Sequence, residues 1–108
     1  MKISIITVCF NSEKFIESAI ESVHSQDYNN IEYIIIDGNS TDKTIEIINN
    51  NKGRINKFIS EPDHGIYDAM NKGLKMATGD IVGILNSDDL YFNNTILSSV
   101  VECFKNRN

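Results

Sequence analysis

The sequence predicts an α/β protein with a Rossmann-like parallel sheet covered by helices. Short apolar runs alternate along the chain with segments whose apolar residues recur at helical spacing. The runs ISIITV and IEYIIID are nearly continuous in β-branched residues, which is typical of strands buried on both faces. The links between the predicted elements are short, and this alternation favours parallel strands joined by helical crossovers.

Four strands are predicted, one for each alternating unit. The first and second are the two β-branched runs at residues 3–8 and 31–37. A weaker run at 57–60 precedes a segment that contains the single proline of the chain and therefore forms a loop. The run at 80–85 follows Gly79 and gives the fourth strand.

Four amphipathic helices are predicted after these strands. Their apolar residues recur three and four positions apart, so one face of each helix can cover the sheet. These residues are Phe15, Ile16, Ala19, Ile20 and Val23, then Ile45 and Ile48, then Ile66, Ala69, Met70 and Leu74, and finally Ile96, Leu97, Val100, Val101 and Phe104. Side chains suited to capping precede the first two helices, at 11–12 and 40–42. Asp68 and Lys72, four residues apart in the third helix, are expected to form an ion pair.

The composition bounds the class of the protein. The chain has 108 residues, of which 41% are hydrophobic, and this fits one globular domain. A net charge of −5 argues against a nucleic-acid-binding protein and against a basic membrane-binding surface. Because the sequence has no signal peptide and no apolar stretch of transmembrane length, we expect a cytoplasmic protein. Cys9 and Cys103 are interpreted as small, reduced core residues.

Polar side chains gather where three of the predicted strands end, at 7–11, 37–42 and 86–89. In open α/β sheets, ligands bind beyond the carboxyl ends of the strands. Asp88 and Asp89 are adjacent there, and a hard divalent cation such as Mg²⁺ or Mn²⁺ would relieve their mutual repulsion. The alternative is a solvated turn in which one carboxylate caps the last helix.

Asp37 ends the second predicted strand and is followed by Gly38, which permits a sharp turn. An ionised carboxylate only accepts hydrogen bonds, so Asp37 can receive the N3–H of a uracil or the N1–H of a guanine. The alternative is that Asp37 caps the turn. The phosphate-binding patterns G-x-x-x-x-G-K-[ST] and G-x-G-x-x-G are both absent. Phosphates would therefore be held mainly by a metal ion.

Four segments, taken together and in order, carry a resemblance to a known family. They are SIITVCFN, IIIDGNSTDKT, EPDHGIYDAMNKGLKMATGD and ILNSDDLY. The chain closely resembles the nucleotide-binding half of family 2 glycosyltransferases, the inverting enzymes of the GT-A fold. The second segment resembles the DGSTDxT segment of that family, and the last resembles the DSDD form of its DxD motif. The third resembles a variant found in bacterial surface-polysaccharide transferases.

The resemblance implies roles for five residues. Asp37 matches the acidic residue that contacts the nucleotide base, and Thr7 and Val8 match backbone positions that line the nucleotide pocket. Asp88 matches the acidic position near the ribose and the diphosphate, where it can also support the metal. Asp89 matches the metal-binding carboxylate, with Mg²⁺ or Mn²⁺ as the cofactor.

One position departs from the family pattern. Asn86 stands where many members have Asp. Its amide oxygen can still accept a hydrogen bond, but it adds no charge, so a site of three carboxylates is excluded.

The resemblance also implies an activity. The expected reaction transfers a sugar from a nucleotide-diphosphate donor, expected to be a UDP-sugar, to an acceptor hydroxyl with inversion. The acceptor would be a saccharide or a lipid-linked molecule in polysaccharide or glycoconjugate synthesis. The general base of the family follows the DxD motif, so the catalytic residue is unknown here. We therefore expect residues 1–108 to be the nucleotide-sugar-binding part of a longer domain. The protein is expected to be cytoplasmic or peripheral at the inner face of the membrane. An uncovered apolar edge is expected to favour self-association.

Three alternatives are open at this point. A phosphatase of the haloacid-dehalogenase type also uses Mg²⁺ and a carboxylate after a strand. Such an enzyme requires Asp two residues beyond that carboxylate, where this chain has Asn39. A nucleotidyltransferase favours a glycine- and arginine-rich loop after the first strand, and VCFNSEKF is not such a loop. A nucleotide-sugar-binding module without activity is the third.

Overall fold

A computed structural model describes residues 1–91 and 93–106 of the chain. In this part of the chain the sheet has four strands. They are β1 (Ile3–Cys9), β2 (Ile31–Asp37), β3 (Lys57–Ser60) and β4 (Ile81–Ile84). The bounds of β2 and β3 are those predicted from the apolar runs, whereas β1 is one residue longer than predicted and β4 is one residue shorter at each end.

Four α-helices follow the strands within the described residues. They are α1 (Ile16–His24), α2 (Thr44–Asn50), α3 (Ile66–Met76) and α4 (Ile96–Lys105). A short 3₁₀ turn, Lys52–Arg54, connects α2 with β3. None of these helices combines the length and the apolar character that are needed to cross a membrane.

All described strands are parallel and lie in the order β3-β2-β1-β4. In the register, Ile3 lies opposite both Ile31 and Ile81, while Asp37 lies between Cys9 and Ser60. The predicted fold class, a Rossmann-like parallel sheet covered by helices, is confirmed. Because the strands are parallel, their carboxyl ends meet at one edge of the sheet, and the polar loops emerge there together.

The core has two layers, one on each face of the sheet. On one face, α1, α2 and α4 bury Ile16, Ala19, Ile20, Val23, Ile48, Leu97 and Val101 against Ile3, Ile5, Tyr33 and Ile35. On the other face, α3 covers Ile6, Val8, Ile34 and Ile36 with Ala69 and the partly buried Met70 and Met76. Side chains alternate between the two faces along each strand, so the continuous apolar runs fill both layers at once.

The last helix differs from its prediction in one respect. Leu97 and Val101 are buried against the sheet, whereas Cys103 and Phe104 are exposed. Cys103 follows Val101 by two residues, which turns it about 200° around the helix axis and away from the sheet. The interpretation of Cys103 as a core residue is therefore wrong, while Cys9 is buried as predicted.

β4 lies at one edge of the sheet, and two of its three side chains are exposed. Val82 is 41% exposed and Ile84 is 44% exposed, because α3 does not extend over this end of the sheet. Self-association through this edge stays a prediction.

At the amino ends of the strands, a buried carboxylate joins three elements. Glu32 of β2 accepts hydrogen bonds from the Ser4 hydroxyl at 2.7 Å and from the Thr78 backbone N–H at 2.9 Å. The Lys57 ammonium lies 3.0 Å from it. Burial alone would raise the pKa of Glu32, but the hydrogen bonds from Thr78, Ser4 and Lys57 outweigh burial and lower the pKa to about 2. The ionised carboxylate thus stabilises the fold.

Glu32→Gln is expected to lower the free energy of unfolding at pH 7 by about 1.5–3 kcal/mol, as expected for hydrogen bonds to a charged group. Because the folded-state pKa of Glu32 is depressed, its contribution is complete above the unfolded pKa near 4.5 and is lost as the pH falls toward 2. Urea denaturation of both proteins between pH 7 and pH 2.5 should show the difference shrinking below about pH 4.5. A difference that does not vary with pH would contradict this role.

The packing of α3 on β1 depends on a residue without a side chain. A Cβ added at Gly73 would lie 2.5 Å from Ile6 Cγ2 and 3.1 Å from Ile6 Cδ1. Such distances are well below van der Waals contact, so the helix can approach the strand this closely only with glycine here.

Gly73→Ala is expected to lower the free energy of unfolding by about 1–2 kcal/mol. Overpacking costs about 1–3 kcal/mol, and the better helix propensity of alanine offsets up to about 1 kcal/mol of this. The control is Gly53→Ala, where an added methyl group would meet nothing within 4 Å. Equal urea midpoints for the two variants would show that the close contact is not a constraint.

Candidate functional site

A cavity of about 590 Å³ opens at the carboxyl ends of β1 and β4. Its walls come from the loop after β1, the start of α3 and the loop after β4. The lining residues are Val8, Cys9, Phe10, Asn11, Ser12, Phe15, Asp63, Gly65, Ile66, Ala69, Asn86, Ser87 and Asp88. The volume is in the range of small-molecule sites, and the position is the one where open α/β sheets bind ligands.

The loop after β1 is fastened to the loop after β2 by backbone and side-chain hydrogen bonds. The Asn11 N–H donates to Ser40 Oγ at 2.8 Å, and the Thr41 N–H donates to Asn11 Oδ1 at 2.8 Å. The Ser12 N–H donates to Thr44 Oγ1 at 2.7 Å. Asn11 and Ser12 were expected to cap α1, but α1 has no side-chain cap and these residues join the two loops instead.

Of the three residues that were expected to cap α2, only Asp42 accepts from the first residue of the helix. The N–H and the hydroxyl of Thr44 both donate to Asp42 Oδ1, at 2.9 and 2.6 Å. Ser40 and Thr41 instead form hydrogen bonds with Asn11 in the loop after β1. A carboxylate at a helix start also interacts favourably with the helix dipole.

Asp37 lies at the carboxyl end of β2, and its side chain points into the protein. The residue is 0% exposed and is not among the residues that line the cavity. Its Oδ1 accepts from the Ser40 hydroxyl at 2.5 Å and from the Cys9 thiol at 3.4 Å. Its Oδ2 accepts from the Ser40 N–H at 2.9 Å and from the Ser60 hydroxyl at 2.8 Å. This geometry is the turn-organising alternative that the sequence left open. The contact of Asp37 with a base stays a prediction.

The two predicted backbone positions in β1 are placed differently. Val8 lines the cavity. Thr7 is fully buried, and its hydroxyl hydrogen-bonds the Tyr33 hydroxyl at 2.8 Å. The side chains of adjacent strand residues point to opposite faces, so only that of Val8 faces the layer of α3.

The acidic pair lies on the turn that follows β4. The Asp89 N–H donates to the Asn86 carbonyl at 3.0 Å and closes this turn. Asp88 lines the cavity and is exposed, while Asp89 is exposed beside it and is not a lining residue. Asn86 Oδ1 is buried and has no hydrogen-bond partner among the described residues. An orphaned buried oxygen is costly, so this atom is available for a ligand or a cation.

Across residues 1–91 and 93–106, no three His, Cys, Asp or Glu side chains are grouped so as to hold a metal ion by themselves. A divalent cation at the turn after β4 would thus need further oxygen ligands. Mg²⁺ commonly has one or two protein carboxylates, with substrate phosphates completing its coordination. The donors at this turn, which are carboxylate and amide oxygens, fit that mode of binding.

Among the lining residues that the sequence analysis did not single out for a role in the site, three have side chains suited to contact a ligand. Phe10 and Phe15 are exposed aromatic side chains, at 60% and 50%, and Asp63 comes from the loop before α3. The position of Phe10, directly after a buried strand and before polar residues, could have indicated an aromatic side chain in the site. The sequence carries no comparable signal for Asp63, because its place depends on how the loop folds back over β2.

The expected ion pair in α3 is present, at 3.7 Å between Lys72 Nζ and Asp68 Oδ2. Lys72 is also 3.1 Å from Glu61, and the His64 N–H donates to Asp68 at 3.0 Å. These contacts hold the loop against the start of the helix. Neither Asp68 nor His64 lines the cavity.

Comparison with known proteins supports the resemblance. A family model described as Glycosyl transferase family 2 matches residues 4–107. An uncharacterized glycosyltransferase of Haemophilus influenzae is 42% identical over 97 residues, which cover 87% of this chain and 39% of the relative. The chain therefore spans about two-fifths of the length of this curated relative.

The fold is also similar to those of two glycosyltransferases of known structure. S. aureus TarS in complex with UDP-GlcNAc matches with a TM-score of 0.89 and 29% identity, over 97% of this chain and 31% of that one. The mannosyltransferase PcManGT from Pyrobaculum calidifontis, in complex with GDP-Man and Mn²⁺, matches with a TM-score of 0.85 and 26% identity, over 94% and 31% of the two chains.

Asp37→Ala is expected to lower the free energy of unfolding by at least about 2 kcal/mol, because Ser40 and Ser60 would lose a charged acceptor inside the protein. The control is Asp89→Ala, which removes an exposed carboxylate and should change the free energy of unfolding by no more than about 0.5 kcal/mol. Urea denaturation of both variants provides the measurement. Similar small losses would mean that the Asp37 hydrogen bonds do not organise the turn.

Proposed function

Because the chain belongs to glycosyl transferase family 2, we propose that it binds the nucleotide-diphosphate sugar of a glycosyl-transfer reaction. The reaction moves the sugar, with inversion, to an acceptor hydroxyl of a saccharide or a lipid-linked molecule, in polysaccharide or glycoconjugate synthesis. The observation that carries the proposal is the cavity at the carboxyl ends of β1 and β4, in a fold that matches donor-bound glycosyltransferases. A UDP-sugar is the preferred donor, because TarS was solved with UDP-GlcNAc.

The charges around the cavity support a role for a divalent cation. None of the lining residues carries a positive charge, while Asp63 and Asp88 both contribute a carboxylate. A diphosphate would be repelled by such a wall, since clefts of one sign of charge disfavour ligands of that sign. Donor binding therefore requires Mg²⁺ or Mn²⁺ to offset the repulsion.

The residues on the turn after β4 are the proposed ligands of that cation. Asp89 provides the main carboxylate, Asp88 supports the metal or the ribose, and the orphaned Asn86 Oδ1 is a third oxygen within the same turn. All three donors are oxygens, which Mg²⁺ and Mn²⁺ prefer. When bound, the cation would neutralise the charge that develops on the leaving diphosphate.

The apolar part of the cavity suits the nucleoside. Phe10 presents a largely exposed aromatic ring, on which a base can stack with a gain of about 1–3 kcal/mol. The lining also includes the apolar residues Val8 and Ala69, which are buried.

The proposed function can be tested by calorimetric titration of the chain with UDP and GDP, in the presence of Mn²⁺ and in the presence of EDTA. Binding of at least one diphosphate only with Mn²⁺ supports it. Release of the nucleoside diphosphate from UDP-sugars, with saccharide acceptors present, tests the transfer reaction. A folded chain that binds neither diphosphate with Mn²⁺ would contradict the proposal.

Asp89→Asn is expected to weaken the Mn²⁺-dependent binding of UDP at least tenfold, because the cation loses its main carboxylate. The fold should be unaffected, since Asp89 is exposed and its backbone alone closes the turn. The matched control is Asp27→Asn, which makes the same change in net charge at the opposite end of the sheet. If calorimetry gives equal UDP affinities for the variant and the parent, Asp89 is not the main ligand.

A further inference from the structure

We propose that Asp63, on the loop before α3, is the carboxylate that reads the nucleotide base in this cavity, in the space that Gly38 leaves open. This inference rests on the proposed function, since it concerns the same cavity. It assigns to Asp63 the contact that the sequence predicted for Asp37.

The geometry around Gly38 is the starting observation. A Cβ added at Gly38 would lie 2.9 Å from Asp63 Oδ2 and 3.4 Å from Phe10 Cδ1. Any side chain at this position would therefore compete with the Asp63 carboxylate for the same volume. The backbone does not itself require glycine, because the left-handed conformation of this turn falls on Asn39, at φ 69°. Gly38 is needed for the close approach of Asp63.

The two candidate carboxylates differ in what they can offer a ligand. Asp37 is fully buried, and both of its oxygens accept hydrogen bonds from the protein. Asp63 is half-buried and lines the cavity. Its Oδ1 accepts from the Gly65 N–H at 3.1 Å, and its Oδ2 has no donor among the described residues. Asp63 Oδ2, which lies beside Gly38, thus remains free to accept a hydrogen bond from a ligand.

The position of the Phe10 ring adds the second half of the subsite. The ring and Asp63 Oδ2 approach Gly38 together, so a base stacked on Phe10 can direct its edge at Oδ2. An ionised carboxylate accepts only from a donor. Uracil N3 and guanine N1 carry a hydrogen, whereas cytosine N3 and adenine N1 are acceptors that a carboxylate repels. The subsite therefore selects uridine or guanosine diphosphates over cytidine or adenosine diphosphates.

The test is calorimetric titration of the chain with UDP, CDP and pyrophosphate, all with Mn²⁺. Asp63→Ala is expected to weaken UDP binding about tenfold to a hundredfold, as for the loss of a hydrogen bond to a charged group. The affinity for pyrophosphate should not change, because Asp63 does not contact the phosphates in this assignment. Asp27→Ala, with the same change in charge, should leave all three affinities unchanged.

A second variant separates base reading from loop structure. Gly38→Asp combined with Asp63→Ala places a carboxylate in the same space from the opposite side, and it should restore the preference for UDP over CDP. Thermal denaturation checks that each variant is folded.

The outcomes separate this inference from the proposed function. If the parent binds UDP with Mn²⁺ and Asp63→Ala binds it equally well, the assignment of Asp63 is wrong and the proposed function stands. If Asp63→Ala loses UDP and pyrophosphate by the same factor, Asp63 acts on the metal or the loop and the assignment is also wrong. If the folded parent binds neither UDP nor GDP, both proposals fail.

Discussion

The buried carboxylate of Asp37 is the interaction on which the site depends. A charge in the protein interior is costly unless it is hydrogen-bonded, and Asp37 has donors from three neighbours, which are Cys9 at the end of β1, Ser60 at the end of β3, and Ser40 in the loop after β2. These contacts align the ends of three strands. Ser40 also accepts from the Asn11 N–H, so the loop that forms one wall of the cavity is positioned by the same residue.

This arrangement separates two uses of acidic side chains in one small sheet. Both oxygens of Asp37 accept hydrogen bonds from within the protein, while Asp63 and Asp88 line the cavity from loops. At the opposite end of β2, Glu32 also has a structural role, because its carboxylate accepts hydrogen bonds that join the amino ends of the strands. The cavity is thus lined by carboxylates of Asp63 and Asp88, whereas the carboxylates of Asp37 and Glu32 are bound by donors within the protein.

The sequence predicted the parallel sheet, the bounds of β2 and β3, and the acidic turn after β4, because those features follow from local runs of residues. It could not predict that Asp37 points away from the cavity, since the orientation of Asp37 depends on Ser60, which lies 23 residues further along the chain. The same limit applies to Asp63, because its side chain is close to Gly38 in the folded chain but distant from it in sequence. The capping role expected for Asn11 failed for the same reason, because a partner in another loop competed with the local helix end.

The two cysteines have a practical consequence for chemical labelling. Cys9 is only 7% exposed, and burial and the nearby charge of Asp37 raise the pKa of its thiol, so little reactive thiolate forms there. Cys103 is exposed on α4. A maleimide dye should therefore attach at one position without any engineered substitution. The native chain already carries a single site for a fluorophore or spin label, on the opposite side of the sheet from the helix that borders the cavity.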